Sequence, residues 1–119
     1  MTVLVAAAEG REGVKALSAG AAEAALLDTD LVVLNLTLSP LDVTGLPENL
    51  KTTVLERKGP GDRDPADAVL DEIRDHGGIE RLVIGMKRRS PVSKALLGSV
   101  SQRLLLESPV PVLAVKPGD

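Results

Sequence analysis

The chain contains no phenylalanine, tyrosine or tryptophan, and no cysteine. Without aromatic rings, no base or sugar can stack on a side-chain platform, which counts against readers of RNA or single-stranded DNA. Without cysteine there is no disulfide framework, no thiolate chemistry and no cysteine-based zinc site. Histidine occurs once, at His76. Long apolar runs are also missing: the opening MTVLVAAAEG lacks a basic segment and is too short for a signal core or a membrane span. The expectation is a soluble, cytoplasmic protein with no membrane partner. Neither G-x-x-x-x-G-K-[ST] nor a G-x-G-x-x-G after the first apolar run is found, so the common phosphate fingerprints are absent.

What is present suits one small domain spanning residues 1–119, with 44% apolar and 26% charged residues and a net charge of −3. Its core must be assembled from Leu, Val, Ile and Ala. Four short, nearly continuous apolar runs, Val3–Ala8, Leu31–Leu36, Leu82–Ile84 and Val110–Val115, read as strands buried on both faces. Thr52–Leu55 is a weaker fifth. Asn35-Leu36-Thr37 matches a glycosylation sequon inside one of these runs, and is read as chance.

Between the strands lie helical stretches. Glu12–Leu27 is Ala-rich and places Val14, Leu17, Ala21, Ala24 and Leu27 near one face. A second helix opens with Asp64 as N-cap, Pro65 at its first position and Asp67 in its first turn, and runs to His76, where Gly77 ends it. The last covers Val100–Glu107, with Ser99 as N-cap and Ser108-Pro109 as its end. This alternation predicts an α/β fold with a parallel sheet. One crossover breaks it. LSPLDVTGLPENLK, from Leu38 to Lys51, carries Pro40, Gly45 and Pro47, so no long helix fits; its Leu and Val residues should lie against the sheet.

The chemistry concentrates in GMKRRSPVSKALLGSVSQR, Gly85 to Arg103. This acidic chain places Lys87, Arg88, Arg89 and Lys94 in one loop after the fourth strand, and the loop delivers Gly98-Ser99 to the last helix. Ligands of open α/β sheets dock at the carboxyl ends of strands, and a helix N-terminus attracts anions. Two readings fit: an anion site, or a Ser99 cap beside a solvated basic loop. A catalytic reading finds little support. His76 suits a helix C-terminus, and Asp62, Asp64, Asp67, Asp71, Glu72 and Asp75 suit first-turn acids and a solvated face. No enzyme activity and no metal of its own are expected. The net negative charge and the missing aromatics also count against a nucleic-acid partner.

The same loop resembles the signature of the universal stress protein family: Gly, two residues, Gly, nine residues, Gly, then Ser or Thr. Gly85 supplies the first Gly, Arg88 stands at the second, and Gly98-Ser99 closes the motif. GSVSQRLLLESPVPVLAVKP, DPADAVLDEIRDHGGIERLVIG and VLVAAAEGREGVKAL extend the resemblance over nearly the whole chain; it is weakest at Leu38–Lys51. It implies a flavodoxin-like, nucleotide-binding five-stranded sheet of order 3-2-1-4-5, often dimeric, here with the second helix replaced by a loop. The implied function is a non-catalytic stress-response protein binding ATP, another adenine nucleotide or phosphate. The implied site comprises Gly85, Gly98, Ser99 and Val100 and an Asp position at the end of the first strand held here by Ala8; the cationic loop beside the helix N-terminus adds Arg88, Arg89 and Ser90 to the expected anion pocket. Ala8 and Arg88 depart from the family pattern. They leave open loss of ATP binding, or a cationic clamp for phosphate in place of a backbone nest. A ligand-free dimeric interaction module is the alternative. A homodimer is expected through Val110–Lys116, the edge strand in this order. Without its second helix, the sheet should expose Val32, Leu34 or their neighbours unless the crossover packs down with a short helical turn around Pro47–Leu50.

Overall fold

The computed structural model describes residues 1–37, 39–56, 64–89 and 94–116, with the main chain alone at 88–89 and 94–96. In chain order the elements are β1 (Thr2–Ala7), α1 (Arg11–Leu26), β2 (Asp30–Asn35), β3 (Thr52–Glu56), α2 (Pro65–His76), β4 (Ile79–Gly85), β5 (Lys87–Arg89), β6 (Lys94–Leu96), α3 (Ser99–Glu107) and β7 (Val112–Val115). Five strands form a parallel sheet in the order β3-β2-β1-β4-β7, the expected 3-2-1-4-5 arrangement. Every residue of β1 is buried, as a continuous apolar run predicts, whereas the edge strands β3 and β7 are only half-covered. The stretch expected to be loop after β4 contains a small antiparallel pair, β5 with β6, that the sequence did not suggest.

Side chains alternate across the sheet, so its two faces carry separate cores. Leu4, Val32, Leu34, Leu82 and Ile84 meet α2 and α3 on one face. Val3, Val5, Leu31, Val33 and Val83 meet α1 and the crossover on the other. Right-handed connections require this division, the first two on one side and the last two on the other. Val32 and Leu34 therefore lie under α2, and the strip that a missing helix would bare falls on the neighbours expected beside them, one residue away in strand parity. The uncovered strip belongs to Leu31, Val33 and their neighbour Val54.

The crossover does cover it. Leu41, Val43, Leu46 and Leu50 are all half-buried against that cluster. Two tight turns shape the segment, Leu46 N–H to Val43 C=O at 3.2 Å and Leu50 N–H to Pro47 C=O at 3.2 Å, the second standing where a short helical turn was expected. Just before the first turn Asp42 accepts from the Thr44 hydroxyl (2.6 Å) and N–H (3.0 Å), and both donors hold its carboxyl below the usual range. Leu46→Ser should cost roughly 1 kcal/mol, about half of what full burial of a Leu contributes, read as a lower urea midpoint at unchanged slope.

Helix α2 follows the sequence closely. Asp64 accepts from the Ala66 and Asp67 N–H groups, Pro65 fills the first position, and Gly77 ends the helix at φ 73°. Helix α1 departs from expectation. Val14 is 69% exposed, and the buried face is Gly13, Ala16, Leu17, Gly20, Ala21 and Ala24. The helix approaches the sheet so closely that its smallest side chains, not its largest, define the contact. A Cβ built on Gly20 would lie 2.1 Å from Val5 Cγ2.

Candidate functional site

The order of the sheet reverses direction between β1 and β4, the switch point at which open α/β sheets bind ligands. A cleft of about 230 Å³ opens there, between the end of β1 and the start of α3. Ala8, Gly98, Ser99 and Val100 line it, so the structure brings together four of the positions singled out in the sequence. Gly85 is not among its lining. A Cβ on Gly85 would lie 2.3 Å from the Glu12 carbonyl oxygen, so this glycine admits the first turn of α1. Its own carbonyl accepts from the Ser101 hydroxyl at 3.3 Å, tying α3 to the end of β4. Arg88 and Arg89 lie on β5, in register with Ala95 and Lys94. Their side chains, and Ser90 altogether, lie outside the described residues.

Ser99 does not cap α3. It is the first helical residue; Gly98 is the N-cap, with extended backbone and no side-chain hydrogen bond to the helix end. The first helical bond runs from Gln102 N–H to Gly98 C=O at 2.8 Å. By helix geometry, the N–H groups of Ser99, Val100 and Ser101 have no intrahelical acceptor. Three donors at the positive end of a helix thus border the cleft. Lys87 adds a full charge. A Cβ on Gly98 would lie 3.2 Å from Lys87 Cε and 3.5 Å from Nζ, so the lysine stem crosses Gly98 where it leads into the helix.

The opposite wall was not foreseen. Glu9 and Glu12 line the cleft from the β1–α1 turn and the first turn of α1, with Pro65 and Leu36 completing it. Their signal is present in the sequence, since residues just past the first strand of such a fold sit at the switch point. His76 is in the last turn of α2, where its Nδ1 accepts from the Gly78 N–H at 3.3 Å, outside the cleft. Among the described residues, no group of three or more His, Asp or Glu is placed to hold a metal ion.

Next to the cleft, α2 and α3 are joined by charge. Arg103 reaches Glu107 (2.9 Å), Asp67 (2.5 Å) and Asp64 (3.3 Å). Its guanidinium, held by Glu107 and then Asp67, is shifted further above its ordinary range.

The family model described as universal stress protein family matches residues 51–116. A universal stress protein of Mycolicibacterium smegmatis is 67% identical over 43 residues, a stretch covering 36% of this chain and 33% of that relative. A universal stress protein structure from Archaeoglobus fulgidus superposes with a TM-score of 0.67 at 23% identity, covering 98% of each chain. Another from that organism, in complex with dAMP, gives 0.62 at 19% identity, again over 98% of each. At these identities the solved structures speak for the fold. The family model, spanning more than half of the residues, speaks for the sequence, and the chain belongs to the universal stress protein family.

Proposed function

We propose that the protein is a non-catalytic stress-response component that binds an adenine nucleotide, or phosphate alone, in the cleft between β1 and α3. One observation supports this above the others: the uncapped N-terminus of α3 and the Lys87 side chain border the same cleft at the switch point. An uncapped helix start offers main-chain donors and a positive dipole end, and the ammonium adds charge, which together suit a phosphate group. Gly98 keeps Cα alone beneath the lysine stem, so the residues present fit a phosphate there. The carboxylates of Glu9 and Glu12 on the facing wall suit hydroxyl or amino donors, and oppose further phosphates. A similar fold, the Archaeoglobus protein, is known in complex with dAMP.

The test is nucleotide released by heat from the purified protein and identified by mass, followed by calorimetry with AMP, ADP, ATP and phosphate. Affinity is expected to be no higher for ATP than for AMP. Lys87→Gln should lower it about tenfold, the scale of one charge-assisted contact. Absence of binding by all four removes the proposal.

A second reading, a dimeric interaction module without ligand, is favoured by the edge of the sheet. Among the described residues strand β7 pairs only with β4, leaving its outer edge open and Leu113 at 36% exposure. Pro111 already accepts from Leu82 N–H at 2.9 Å and lacks a donor to lose, which suits an open strand start. Under either reading a homodimer through Val110–Lys116 is expected. Light scattering should show it at tens of micromolar, and Leu113→Lys should dissociate it.

A further inference from the structure

We infer that Arg103 is a positioning residue of the cleft, its guanidinium locking the first turn of α2 to α3 so that the Pro65 wall and the α3 donors keep one fixed separation. The inference rests on the anion-binding reading of that cleft.

All three guanidinium nitrogens are engaged. Nε donates to Glu107 Oε2 at 2.9 Å, Nη1 to Asp64 Oδ1 at 3.3 Å and Nη2 to Asp67 Oδ1 at 2.5 Å. Glu107 lies one turn further along α3 and orients the fork from its own helix. Asp64 and Asp67 belong to the N-terminus of α2. The Asp64 oxygen that meets Arg103 also accepts from Ala66 N–H at 2.8 Å and Asp67 N–H at 3.3 Å. That single atom therefore closes the helix cap and receives the clamp, so neither can shift without the other.

The clamp acts on the cleft through short covalent links. Pro65, next to Asp64, lines the cleft, as do Ser99 and Val100, one turn before Arg103 on the same helix. A planar fork on three carboxylates is satisfied at one relative placement of the two helices, which a flexible ammonium would not enforce. Half-exposed ion pairs contribute little to stability one at a time. Their yield here is registry: a site whose walls belong to different elements binds well only when those elements are held together.

The test uses the whole chain with Arg103→Gln, Arg103→Lys and Asp67→Asn, the last leaving the Asp64 cap in place. Three measurements are made: melting temperature, amide exchange at the bonded N–H groups of residues 66–68 and of Gln102, and titration with AMP and inorganic phosphate. Arg103→Gln is expected to speed exchange in both turns together and to weaken AMP binding about tenfold, with melting lowered by a few degrees. Arg103→Lys keeps the charge without the fork. It should recover the melting temperature but not the affinity, and Asp67→Asn should repeat the loosening. Wild-type affinity in Arg103→Lys, or exchange that changes in one turn only, overturns the inference. If the wild type binds neither AMP nor phosphate, the ligand reading falls by itself. The exchange result then decides the clamp, coupled acceleration upholding it and independent turns refuting it.

Discussion

Gly13→Ala and Gly85→Ala should each destabilise the protein by on the order of 3 kcal/mol, the upper range for overpacking a core. A Cβ on Gly13 would sit 1.8 Å from the Ala8 carbonyl oxygen, and one on Gly85 would sit 2.3 Å from that of Glu12. Both obstacles are main chain, so no side chain can swing aside; α1 must move off the sheet or β1 must bend. The cost follows because α1 lies over the buried centre of the sheet, against Val3, Val5 and Val83. Gly45→Ala is the matched control. Nothing lies within 4 Å of its would-be Cβ, and its φ is not in the left-handed range. That change should be neutral or stabilising by up to about 1 kcal/mol, through the unfolded chain alone. Urea unfolding of the three variants measures the contrast. Equal midpoints would show that α1 does not sit as close as described. The same substitution at Gly85 should weaken ligand binding, because it pushes away the turn that carries Glu12 along the cleft wall.

Asn35→Ala should cost about 2 kcal/mol, for four lost hydrogen bonds whose other ends, at Thr37, Ser39 and Glu56, are half-buried or exposed and regain water. Asn35 ends β2 at 1% exposure and uses both ends of its amide. Nδ2 donates to the Ser39 carbonyl (2.9 Å) and to Glu56 Oε1 (3.0 Å), while Oδ1 accepts from the Thr37 N–H (2.9 Å) and hydroxyl (2.7 Å). One side chain thus starts the crossover and ties β2 to the end of β3. Asn35→Asp should be worse than alanine at neutral pH. It would lose the donors and set a second carboxylate against Glu56. Thermal melts of both variants give the order; an Asp variant as stable as wild type would show that the amide is not used as a donor. The network also settles the sequon at this residue. A buried amide with both hydrogens engaged offers no nitrogen for a glycan in the folded protein.

The order of elements was legible in the sequence because it depends on local rules. Continuous β-branched runs announced the three central strands, and Asp64-Pro65 and Gly77 bracketed α2 to the residue, since caps act over one turn. Pro40 and Pro47 removed a helix from the crossover for an equally local reason. The stacking exclusions followed from composition alone. Only the tertiary structure decided the rest. Val14 fits a helical apolar pattern yet points outward, because the spacing of α1 from the sheet selects Gly and Ala, and spacing is not written in periodicity. Gly85 belongs to a signature associated with ligand binding, but its lack of a side chain is required by a carbonyl some seventy residues earlier in the chain, Glu12. Ser99 has the composition of a cap and is not one, because extended Gly98 already occupies that position. Glu9 with Glu12, Pro65 and Lys87 come from three separate segments and share a cleft only after parallel strands bring their carboxyl ends together. A sequence states what each residue prefers; which residues become neighbours is set by the sheet order and the distance at which its layers pack.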